Sequence, residues 1–163
     1  MKKEKMGLLS WGATIIAAVC GMVAFAMIFV AAIDSQASTY SIWQDSYTGI
    51  QVALGCSTAN GYAVFNASAG AILAFALPLV ALCVAVMGKG FKIVSAVAAA
   101  IYVAGASLAF TVTATARPAV TFPALSLAVG PILSGVFSLL GAIALIGGIV
   151  IEALIAKDKK QAA

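Results

Sequence analysis

Read for where apolar and polar positions fall, the chain shows long apolar blocks separated by short polar ones. Four blocks run from Leu8 to Ile33, Ala67 to Met87, Ile93 to Thr115 and Ile132 to Ile155. At about 1.5 Å of rise per residue, each exceeds the roughly 30 Å of a bilayer's hydrocarbon core, so the pattern predicts four membrane-spanning helices. No charge interrupts them until Glu152, near the end of the last. The expected fold is therefore an all-α membrane protein in one domain, residues 1–163, a four-helix bundle with connecting loops at 34–66 and 116–131.

The first loop is longer than a link between neighbouring helices requires. Within "SIWQDSYTGIQVALGC", from Ser41 to Cys56, Ile50, Val52 and Leu54 alternate with Gly49, Gln51 and Ala53, which predicts a short half-buried strand. Tyr40, Trp43, Tyr47 and Tyr62 give the loop aromatic surface for headgroups or for a partner, with Tyr40, Trp43 and Tyr47 the candidate anchors. The second loop carries Pro118, Pro123 and Pro131 yet is apolar, so it is expected to pack on the first loop or to form a short interfacial helix. Pro131 is expected in the first turn of the last span.

Composition sharpens this picture. Of 163 residues, 64% are hydrophobic and 9% charged, with a mean hydropathy of +1.15, whereas soluble domains are about 25% charged. Direction follows from lysine placement, because positive charge is retained on the cytoplasmic side. Lys2, Lys3, Lys5, Lys89, Lys92, Lys157, Lys159 and Lys160 fall on one side of a four-span chain, and Arg117 alone on the other. Both termini are therefore expected in the cytoplasm. The first apolar run is longer than the roughly 7–15 residues of a secretory core, which favours an uncleaved anchor. Lipoprotein processing at Cys20 is disfavoured by the large Val19 before it, and the Asn66 sequon lies against the start of the second span.

The chemistry on offer is sparse. There is no histidine, and so neither the commonest neutral-pH acid/base nor the commonest transition-metal ligand. No paired acids, nucleophile with a base or ligand cluster is evident, so no catalytic, cofactor or metal residue is expected. Cys20 and Cys83 fall inside spans, leaving Cys56 as the one wet thiol, free, acylated or paired between chains. Every fourth position is small in Ala13, Ala17 and Gly21, in Gly105, Ala109 and Thr113, and in Gly130, Ser134, Ser138 and Ala142. These are expected seams within a bundle or between copies of it. Pro78 leaves the carbonyl of Ala74 without its helical partner, which predicts a kink, and Tyr102 must find a partner for its hydroxyl. Glu152 is expected to reach headgroups or Lys157.

Both termini inside, a larger first outer loop with strand character and a smaller second one make an architecture that resembles the claudin-type tetraspan family. Trp43, Gly49-Ile50-Gln51 and Cys56 stand where that family has a tryptophan, a Gly-Leu-Trp triplet and the first of two cysteines. The stretch "YTGIQVALG" more closely resembles uncharacterised four-span proteins of Gram-positive bacteria, and that resemblance implies a multi-pass protein of the bacterial cytoplasmic membrane. Small multidrug exporters also have four short spans, but they depend on an acid in the first, which is absent here. The expected role is non-enzymatic: an accessory or structural subunit whose partners are the lipid bilayer and other membrane or cell-surface proteins, a homo-oligomer included, and not nucleic acid. The alternative is a small oligomeric channel or transporter using the Pro78 kink and Glu152.

Overall fold

The computed structural model describes residues 2–35, 44–88, 91–120 and 124–161. Its first helix, α1 (Lys2–Ala26), ends in a 3-10 turn at Met27–Phe29 and then enters a strand, β1 (Ala31–Ser35). A cap follows, built from β2 (Ser46–Thr48), α2 (Gly49–Leu54), β3 (Cys56–Ser57) and β4 (Ala63–Asn66). The chain then forms α3 (Ala69–Met87) and α4 (Lys92–Phe110), and a one-turn α5 (Val112–Thr115) leads into β5 (Arg117–Pro118) and β6 (Leu125–Leu127). The last helix, α6, runs from Val129 to Gln161. The segments Leu8–Phe29, Ala69–Met87, Lys92–Phe110 and Val129–Lys157 are each long and apolar enough to cross a bilayer. The chain is a multi-pass integral membrane protein with a four-helix bundle and small sheets.

The helices form a ring in which α1 packs on α3 and α6, and α4 packs on the same two. Its interior is small and its exterior large, the reverse of a soluble bundle. Ala17, Ala24, Ala74, Ala81, Ala98, Ala109 and Ala142 are buried, while Ile15, Val19, Leu73, Val80, Val103, Leu140 and Ile143 face outward. Lipid solvates large aliphatics as well as a protein core does, so association depends on close backbone approach through small residues. Of the expected stripes, Ala17, Gly21, Gly105, Ala109, Gly130, Ser134, Ser138 and Ala142 are buried and serve as seams inside this bundle, while Ala13 and Thr113 are half-buried.

One large side chain crosses that interior. Tyr102 on α4 is fully buried and donates its hydroxyl to the backbone carbonyl of Ala17 on α1, at 2.7 Å. The ring lies against Gly141 of α6, where a Cβ would come within 3.1 Å of it. Gly21 leaves the space that the hydroxyl occupies: a Cβ there would overlap the Tyr102 oxygen and lie 3.0 Å from the carbonyl oxygen of Pro78. Three helices are thus spaced by one tyrosine and two glycines. The partner that the Tyr102 hydroxyl requires is thus an α1 carbonyl, which uses its spare lone pair. Helix α3 continues through Pro78 as a single element.

Two three-stranded antiparallel sheets make the cap, in the orders β2-β1-β6 and β3-β4-β5. In the first, Ile33 stands opposite Tyr47 on one side and Leu127 on the other. In the second, Phe65 stands opposite Cys56 and Pro118. Each sheet therefore takes its outer strand from the second loop, which packs on the first as strands and not as a short helix. Pro118 is tolerated because β5 is an edge. Pro131 lies in the first turn of α6, as expected.

Two local expectations are corrected. The first span was expected to stay helical to Ile33, but the helix stops at Ala26 and Ala31–Ser35 is β1. Residues 50–54 were expected as a strand, but Gly49–Leu54 is a helical turn whose start is fixed by Gln51. Its Oε1 accepts from the Thr48 amide at 2.9 Å and from the Thr48 hydroxyl at 3.2 Å. Gly49 is required because a Cβ would lie 2.8 Å from both the Ile28 carbonyl oxygen and the Phe75 ring.

Replacing Tyr102 by Phe removes one interhelical hydrogen bond and should cost about 1 kcal/mol, within the range for such bonds in membranes. Gly21→Ala overpacks the same point and should cost about 2 kcal/mol. Adding Tyr102→Phe to Gly21→Ala should recover part of that loss. Reversible unfolding in mixed micelles checks all three; simple additivity in the double variant would show that the two sites do not meet.

Candidate functional site

The cap sits on the bundle through a shared core. Ile33, Tyr47, Val52, Val64 and Phe65 from the cap pack with Ala71, Ala74 and Phe75 of α3 and with Val112 of α5. The Tyr47 and Phe65 rings meet edge to face, with centroids 5.1 Å apart. Ser68, capping α3, donates to the Thr115 carbonyl at 2.6 Å and accepts from the Ala71 amide at 3.3 Å, tying the start of α3 to the end of α5.

Tyr40 and Trp43 lie outside the described residues. Tyr47, the third expected anchor, is 2% exposed, and its oxygen accepts from the Gln44 amide at 3.2 Å. A ring enclosed in this way organises the cap and offers no face to a partner. The exposed apolar groups of the cap are others: Leu54 at the end of α2, 63% exposed, and Tyr62 before β4, 67% exposed. Ile50 lies one turn before Leu54 and is also exposed. Sequence periodicity missed this pair because it was read as a strand. The i, i+4 spacing after the Thr48-x-x-Gln51 cap was the available signal.

A cleft of about 200 Å³ opens in the cap, lined by Gln44, Tyr47, Gln51, Cys56, Thr58 and Val64 among others. Burial pushes the Cys56 thiol above the ordinary thiol range, and the Phe65 amide beside it opposes that shift in part. Tyr47 is also raised, first by burial; the Gln44 amide lowers it and the neighbouring Cys56 adds to the rise. The cysteine therefore stays protonated at neutral pH and is a poor nucleophile there. Among the described residues, no three His, Cys, Asp or Glu side chains come together as metal ligands would.

Glu152 and Pro78, the residues of the transport alternative, are not brought together. Glu152 accepts a hydrogen bond from the Ser10 hydroxyl of α1 at 2.7 Å, so its carboxylate closes the α1–α6 seam. Pro78 lies level with Gly21, whose missing side chain faces the Pro78 carbonyl. Ser10 and Gly21 are separated on α1 by about 16 Å of helix rise. Ser10 went unnoticed in the sequence because a lone serine in an apolar block carries no pattern.

No family model, curated protein or solved structure matches the chain.

In a variant with Cys20 and Cys83 replaced by Ala, Cys56 should react with maleimide several-fold more slowly at pH 7.5 than a cysteine placed at Tyr62. Because a raised thiol pKa withholds thiolate, its rate should go on climbing at alkaline pH after that of the exposed control has levelled. Equal rates, measured by mass shift against time, would contradict the burial of the thiol.

Proposed function

We propose that this protein is a non-enzymatic accessory or structural subunit of the bacterial cytoplasmic membrane, which presents its cap outside the cell and binds another membrane or cell-surface protein there. The observation that carries the reading is the construction of the cap. Both loops are spent on two sheets fused to the bundle core, far more structure than two helix connections need. A body held this firmly presents Leu54 and Tyr62 at fixed positions, and pre-ordered apolar anchors lose little entropy on binding. The lysine-rich end of the bundle supports the orientation, since basic ends are retained in the cytoplasm. The absence of histidine and the aliphatic character of the bundle interior support a role without catalysis.

Photo-crosslinking residues at Leu54 and Tyr62 should give a discrete adduct in native membranes, while one at the outward-facing Leu140 should not. Blanks at both cap positions would reject the binding role. Tyr62→Cys in a cysteine-free background should label with an impermeant maleimide on intact cells; labelling only after lysis would reverse the orientation.

A further inference from the structure

Beyond the cap, the bundle carries a second feature at its opposite end. A groove of about 500 Å³ runs between α1 and α6, walled by Leu8, Gly12, Ala13 and Ile16 on one side and Gly147 and Ile151 on the other. Its walls are aliphatic, and glycine keeps it open: a side chain at Gly12 or Gly147 would meet nothing within 4 Å. The Ser10–Glu152 bond joins the two walls at the groove's terminal end. Where the two helices leave the apolar zone, the chain places its charge. Lys2, Lys3 and Lys5 lie in the first turns of α1, and Lys157, Lys159 and Lys160 in the last turns of α6. Against Glu4, Glu152 and Asp158 these six lysines leave a net charge of +3.

An apolar slot at acyl-chain depth, continued by positive charge at headgroup depth on the same two helices, has the chemistry of an anionic phospholipid. The geometry points to the α1–α6 groove as a site for one such lipid, its chain along Gly12 and Gly147 and its headgroup phosphate at the level of the two helix ends whose sequence carries the lysines. A second copy of the protein fits less well. Copies inserted in the same direction bring lysine-rich ends together, and like charge opposes that contact. The site uses only the membrane location and the helix pairing, so it stands apart from the cap's proposed role.

Trp11, 59% exposed and next to Gly12, reports on the groove. With Trp43→Phe making it the sole tryptophan, the full chain is placed in bilayers containing chain-brominated phosphatidylglycerol or phosphatidylcholine. At equal mole fraction the anionic lipid should quench Trp11 several-fold more effectively, and the advantage should shrink as salt rises. Gly12→Leu with Gly147→Leu fills the slot and should abolish the preference; so should Lys157, Lys159 and Lys160→Gln, which leaves the groove walls untouched. Equal quenching by the two lipids overturns the site, as does a preference that survives groove filling. Self-association in the bilayer that groove filling removes would also overturn it, giving the slot to a second copy.

Discussion

A backbone that leaves a helix near hydrocarbon must find new hydrogen-bond partners at once, since no water is there to take the exposed amides and carbonyls. Most of the cap follows from that constraint. Where α1 ends, the Val30 amide turns back to Met27 at 3.1 Å, the Val30 carbonyl accepts from Gly49 at 3.1 Å, and the next residues are already in β1. At the end of α4, Thr111 spends its amide and its hydroxyl on the carbonyls of Ser107 and Leu108 before α5 begins. The Ala119 amide then reaches Val64 in the first loop, at 2.8 Å. The sheets continue the hydrogen bonding of the spans and make the cap inseparable from the bundle beneath it.

Within the bundle the governing requirement is proximity. Alanine and glycine supply it nearly everywhere, and Tyr102 is the exception that fixes spacing. Its ring needs Gly141, its hydroxyl needs Gly21, and the bond to Ala17 settles its direction. Ser10 and Glu152 act similarly toward the other end of α1. Side-chain hydrogen bonds are few among the described residues of this interior; Ser138 donates back to the Ser134 carbonyl within α6, whereas those of Tyr102 and Ser10 join two helices and set register where shape alone is permissive.

The spans were legible because only long apolar runs satisfy a bilayer, and the small-residue stripes were legible as seams. The end of α1 was not. Residues 27–33 are apolar whether helical or extended, and hydropathy carries no information on that choice. The misread strand at Ile50–Leu54 has a related cause: Ile50, Val52 and Leu54 alternate, but Thr48 and Gln51 compete with that alternation by capping a helix, and the cap prevails. Tyr47 looked like a surface anchor because it lies among polar residues. Its partner Phe65 stands 18 positions later in the chain, where no local pattern could connect them. The second loop's strands were hidden by its prolines and by pairing with residues far earlier in the sequence.

The order in which these strands emerge from the ribosome matters for biogenesis. Asp34 in β1 waits for Ser126, and Phe65 in β4 waits for Pro118, so neither sheet is complete until three helices are already threaded. Closure of the cap thus reports that the first three spans have been inserted in the right order. A nascent protein stalled before β5 and β6 are made would show unpaired edges on β4 and β1, a mark by which quality-control proteases can recognise unfinished molecules.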